Sequence, residues 1–140
     1  HAYVDAMALN LVLKPWTFDV IVTENMFGDI LSDLIASLVG GMGMAPSGDI
    51  GDDYALFQPA HGTAPDIAGQ GIANPTAMIL SAAMMLQWLA HRHNDPALTD
   101  AANSLERAVR QVFESGKVRP REFGGHSGTR DIAQAILEQL

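Results

Sequence analysis

Between Ala77 and Ala90 the sequence reads AMILSAAMMLQWLA, broken only by Ser81 and Gln87. A helix carrying this pattern, from about Thr76 to His91, is apolar nearly all round. Such a helix needs other elements over most of its surface. The run is short of the roughly 20 residues that a membrane span requires, so it reads as a buried helix with no membrane partner. Pro75 stands at its start and is expected at the first helical position, where a missing N–H is no loss.

The remaining elements must supply that cover. Helices are expected at Tyr3–Leu13, with Pro15 just past its end, and at Phe27–Val39. In the second, Phe27, Ile30, Leu31, Leu34, Ile35 and Leu38 follow the i, i+3, i+4, i+7 pattern, and Gly40-Gly41 ends it. Asp95–Ser115 reads as an ordinary amphipathic helix closed by Gly116, and Arg130–Leu140 as a last helix. The β-branched run FDVIVT, Phe18–Thr23, and the segment Tyr54–Gln58 read as strands. Three segments read as loops: Gly40–Asp53 (GGMGMAPSGDIGDD), His61–Asn74 and Val118–Thr129. This alternation predicts an α/β fold. Two strands are too few for helices this apolar, so further chain or a partner subunit is expected to complete the sheet.

Charge and cysteine content narrow the function. Acidic residues outnumber Lys and Arg 16 to 8, for a formal charge of -8. That sign repels phosphate backbones and argues against nucleic acid. Without cysteine there is no disulfide framework and no thiolate metal site, which fits a reducing, cytoplasmic setting. The first residue is His1 and no signal-peptide pattern follows, so a fragment or processed piece is expected.

Two constellations carry chemistry. In FGDILSD, Asp29 and Asp33 lie one turn apart on one helix face, where like charges repel. A divalent cation such as Mg²⁺ or Mn²⁺ would compensate, because both prefer carboxylate oxygens. Spacing alone favours the other reading, a solvated helix edge with Asp29 placed at the helix N-terminus. Asp5, within an apolar helix, is a weaker third candidate. The second constellation is HGTAPDIAGQGIAN. Gly62, Gly69 and Gly71 let backbone N–H groups approach a ligand, and Asp66 offers an acceptor for ribose hydroxyls. It is not the GxGxxG fingerprint, and a purely structural loop is equally consistent with it. The histidines have no metal spacing beyond the weak pair His91 and His93, which lie on different faces of a helix end. GHSGT, Gly125–Thr129, lacks the preceding strand that a nucleophile elbow needs.

YVDAMALNLV, FGDILSDL within FDVIVTENMFGDILSDL, and HGTAPDIAGQGIANPTAMILSAAMMLQWL together resemble the metal-dependent β-decarboxylating dehydrogenases. That family takes 3-isopropylmalate, isocitrate, homoisocitrate, and tartrate or D-malate as substrates. The pattern is nearest to NAD-dependent 3-isopropylmalate dehydrogenase, an enzyme of leucine biosynthesis. The blocks stand in the family's order and spacing over essentially the whole chain. Members are more than twice as long, so the resemblance implies a C-terminal part. It would lack the substrate arginines and the catalytic Tyr and Lys, and this chain alone would be inactive. The resemblance implies Asp29 and Asp33 as metal ligands, and Asp5 as a third supplied across a homodimer formed through the first two helices. It implies NAD binding by His61, Gly62, Thr63, Ala64, Asp66, Ile67 and Asn74. Asp66-Ile67 matches the NAD-preferring form, since a carboxylate accepts from two ribose hydroxyls and repels a 2′-phosphate. The implied substrate is a small 2-hydroxy diacid. Residues 1 to 39 would belong to the dimerisation and substrate domain, and residues 40 to 140 to the cofactor domain.

Overall fold

The apolar helix after Pro75 forms as α3, Thr76–His93, and the rest of the chain is arranged around it. The computed structural model describes all residues from His1 to Leu140. In chain order the elements are α1 (Val4–Leu13), α2 (Asn25–Leu38), β1 (Pro46–Ile50), β2 (Ala55–Pro59), α3, α4 (Pro96–Glu114) and α5 (Thr129–Leu137). Short 3₁₀ turns lie at Pro15–Thr17, Pro65–Ile67 and Arg121–Phe123.

α3 packs against α4 on one side and against both strands on another. Its buried residues are Thr76, Ala77, Ser81, Ala83 and Ala90, all small, so neighbouring backbones approach closely. The Ser81 hydroxyl lies 2.8 Å from the carbonyl oxygens of both Gln58 and Ala77, which ties the helix to β2. α4 begins with Asp95, whose carboxylate accepts from Ala97 N–H at 2.9 Å, followed by Pro96 in the first turn. Ala108, Val109 and Val112 of α4 join Ile132 and Ile136 of α5 in the main apolar core. Ile79 and Leu80 of α3 pack on the same cluster.

β1 and β2 form an antiparallel hairpin, with Gly48 opposite Phe57 and Asp49 opposite Leu56. Ala55, Phe57 and Pro59 turn inward and Leu56 and Gln58 outward. Near the open end of the hairpin, Ile35, Ala36 and Val39 at the end of α2 share a cleft with Ser47 and Gln58. α1 packs on α2, and each buries one leucine, Leu11 and Leu31.

Three expectations need correction. Phe18–Thr23 is not a strand: it pairs with nothing in the chain, and Val20 and Val22 are 82% and 93% exposed. A β-branched run without a neighbour to complete its ladder stays irregular extended chain. Conversely, Gly40–Asp53 is not all loop, because it contains β1. Its Pro46 and Gly48 hide a strand from propensity, yet Gly48 lies against the Phe57 ring, where a Cβ would come within 3.1 Å of the ring carbons. Pro75 is the N-cap of α3 rather than its first residue. The other boundaries agree to within two or three residues, and Gly40 and Gly41 do end α2 with φ of 113° and 101°.

Candidate functional site: a glycine-walled cavity beside an acidic cleft

The loop from His61 to Asn74 walls a cavity of about 1000 Å³. Its backbone turns sharply four times. Ala64 takes a left-handed conformation (φ 41°, ψ 62°), Pro65–Ile67 forms a 3₁₀ turn, and Gly69 and Gly71 have φ of 76° and 66°. A left-handed alanine costs energy of order 1 kcal/mol, and such outliers concentrate at ligand sites. The end of the loop is pinned from α5: Thr129 N–H donates to the Gly71 carbonyl at 2.8 Å, and its hydroxyl donates to the Ala73 carbonyl at 2.5 Å.

Of the residues expected at a cofactor, His61, Gly62, Thr63, Ala64, Ile67 and Asn74 all line this cavity. Asp66 does not; it is exposed at the start of the 3₁₀ turn. Asn74 is committed to protein contacts. Its Oδ1 accepts from Thr76 N–H (3.1 Å) and from the Thr76 hydroxyl (2.6 Å), and its Nδ2 donates to Glu122 Oε1 (2.8 Å).

Sequence reasoning missed the opposite wall. Gly40, Gly41, Met42 and Gly43 close the cavity from the turn after α2. Arg121, Glu122, Thr129 and Arg130 close it from the segment that read as a plain loop and from the start of α5. A Cβ at Gly43 would take the place of the Glu122 carboxylate, which would have to swing away. The available signal was the glycine spacing in GGMG and the isolated charges in PREFGG, neither of which indicates a destination in space.

Asp29 and Asp33 sit on the exposed side of α2 and line a second cleft, of about 560 Å³, together with Ser32, Ser47 and Gln58. The chain's one ion pair joins Arg92 and Asp53, so neither aspartate has a cationic partner. Two unpaired carboxylates one turn apart, with hydroxyl and amide oxygens nearby, are a donor set suited to a hard divalent cation. Asp5 is not brought to them: no three acidic or His side chains converge anywhere in the chain. The Asp5 carboxylate accepts from the adjacent Ala6 N–H instead.

The two clefts adjoin. Val39 lines the acidic cleft and Gly40 the cavity; Ala60 lines the cleft and His61 the cavity. On an α/β scaffold, then, an acidic cleft opens beside a glycine-walled cavity, and the residue types suit a cation in the first and a larger ligand in the second. The chain belongs to the isocitrate/isopropylmalate dehydrogenase family, whose sequence profile matches residues 1–136. This is a family of decarboxylating dehydrogenases, as the resemblance implied. The chain is 55% identical to the isocitrate/homoisocitrate dehydrogenase of Thermus thermophilus over 98% of its own length and 39% of that protein's. It is 47% identical to the 3-isopropylmalate/3-methylmalate dehydrogenase of Methanocaldococcus jannaschii, over 99% and 39%. The fold superposes on the crystal structure of isocitrate dehydrogenase from Methylococcus capsulatus with a TM-score of 0.87 at 48% identity, covering 97% of this chain and 39% of that one. The chain thus spans about two-fifths of the length of these relatives. No helix is long and apolar enough to cross a membrane.

Proposed function

We propose that the chain is the C-terminal part of an NAD-dependent, Mg²⁺- or Mn²⁺-dependent enzyme that oxidises and decarboxylates a 2-hydroxy diacid. The observation that carries this reading is the shared border of the two clefts at Val39-Gly40 and Ala60-His61. It lets a diacid held over Asp29 and Asp33 meet the reactive end of a dinucleotide lying in the cavity. A divalent cation held by these aspartates would supply Lewis-acid polarisation of the substrate hydroxyl and of the departing carboxylate. The glycine-rich loop would bind and orient the dinucleotide, with Ile67, Ala68 and Ile72 offering apolar wall. Asp66, exposed at the rim, accepts from ribose hydroxyls and repels a 2′-phosphate, which favours NAD over NADP.

Residues 1 to 39 belong to the dimerisation and substrate domain and residues 40 to 140 to the NAD domain. Asp5 completes the cation site from a second copy, since one chain does not assemble three acidic ligands. Supporting this, α1 and α2 leave Leu9, Val12, Leu13, Met26 and Ile30 between 49% and 62% exposed. The accessible surface, 9533 Å², also exceeds the ~7000 Å² expected of a compact monomer of this size. Both facts call for covering protein, which a second copy would supply in a homodimer.

The substrate reading is 3-isopropylmalate. The second reading is isocitrate or homoisocitrate, favoured by the name of the 55% identical Thermus relative. The test is NADH formation by the full-length protein with each diacid and Mn²⁺. One diacid should turn over, chelation should abolish it, and Asp33→Asn should raise the Mn²⁺ requirement at least roughly tenfold. Turnover that ignores chelator, or no NADH with any of the three, would refute the reading.

A further inference from the structure

Met42 and Met44 stand two residues apart in the turn after α2, in unlike surroundings. Met44 is half-buried, and its sulfur accepts from Asn74 Nδ2 at 3.3 Å. Met42 is 38% exposed and lines the cavity. Beside it, no atom lies within 4 Å of where a Cβ on Gly41 would stand, so that flank is open. The turn itself is fixed. Met44 N–H donates to the Gly41 carbonyl at 3.0 Å, and Ala77 N–H donates to the Gly43 carbonyl at 2.9 Å. Of the seven methionines, Met26, Met78 and Met85 are at least as exposed, but they line neither cleft. A cavity that admits a dinucleotide from solvent also admits a small peroxide, so Met42 keeps its access in the assembled enzyme. A thioether is soft and apolar, whereas its sulfoxide is larger and polar. A ligand packed against the first is disfavoured by the second.

We propose that Met42 is a peroxide-sensitive modification site, whose oxidation to the sulfoxide weakens dinucleotide binding in the cavity. The oxidant is hydrogen peroxide. The Met42 sulfur attacks one peroxide oxygen, an S–O bond forms as the O–O bond breaks, and the other oxygen leaves as water. The sulfur loses two electrons and the peroxide gains them. Met44, with its sulfur engaged by Asn74, is the slower of the pair. The proposal rests on the NAD reading and adds regulation to it.

The experiment treats the full-length protein with hydrogen peroxide, with and without NAD⁺, and removes the peroxide with catalase. Peptide mass spectrometry then locates the sulfoxides, and calorimetric titration measures NAD⁺ affinity. Met42 should oxidise before Met44, and bound NAD⁺ should protect Met42 while leaving Met26 unprotected. Oxidation should weaken NAD⁺ binding by roughly fivefold or more, as expected when a polar group is placed against the ligand. The two methionine sulfoxide reductases together should restore it. Met42→Leu, compared with itself before and after peroxide, should show no change. The proposal is overturned if Met44 oxidises first, if oxidised protein binds NAD⁺ as before, if reductase restores nothing, or if Met42→Leu loses affinity as the wild type does. Each of these leaves the NAD reading intact. Untreated wild type that binds no NAD⁺ overturns both.

Discussion

Replacing Asn74 by alanine should cost stability well before it says anything about a ligand. Asn74 Oδ1 is the shared acceptor for Thr76 N–H at 3.1 Å and the Thr76 hydroxyl at 2.6 Å, and Thr76 is fully buried at the first turn of α3. Each buried donor left without a partner costs about 1–3 kcal/mol. The hydroxyl can recover part of this by turning to a carbonyl in the preceding turn, whereas the N–H has no such choice. The bond to Glu122 is at the rim of an open cavity and adds little. The sum is a loss of roughly 2–4 kcal/mol. Urea denaturation of wild type and Asn74→Ala measures it, provided the m value is unchanged. Thr76→Val in the Asn74→Ala background should then cost less than Thr76→Val alone, a coupling of about 1 kcal/mol or more. A loss under ~0.5 kcal/mol for Asn74→Ala, or additive effects in the double variant, would refute the claim that the Asn74 amide satisfies both donors of Thr76.

Two further perturbations separate scaffold from site. Ile132→Ala empties a fully buried position in the α4–α5 core and should lower stability by ~2–5 kcal/mol by the same denaturation assay, with NAD⁺ affinity changing only as far as folding does. Asp66→Lys with Ile67→Tyr exchanges the acceptor at the cavity rim for a phosphate-binding pair, so the ratio of NAD⁺ to NADP⁺ efficiency should move toward NADP⁺; steady-state kinetics giving an unchanged ratio would remove Asp66 from cofactor selection.

Much of the local structure was legible because its causes are local. The all-round apolar pattern of Ala77–Ala90 dictates a covered helix, and Asp95-Pro96 dictates where α4 starts. The hairpin was half legible. Ala55–Pro59 carries its own alternation, but Pro46–Ile50 becomes a strand only through pairing with it, and Phe18–Thr23 has strand composition without a partner. The site divides the same way. The His61–Asn74 loop announces itself through its glycines, whereas Arg121, Glu122 and Arg130 reach the cavity only because Thr129 bonds to Gly71 and Ala73 across more than fifty residues of chain.

By itself the sequence determined the helices, the α/β class, the family and the candidate ligands, since these depend on residue type and on spacings of a few positions. Tertiary structure alone decided that the acidic cleft and the glycine-walled cavity share a border, and that the Asn74 amide bonds to Thr76 and Glu122. It also decided that Asp5 stands away from Asp29 and Asp33. These are distances between segments far apart in the chain, set by which apolar faces bury each other, and no short stretch of sequence encodes them.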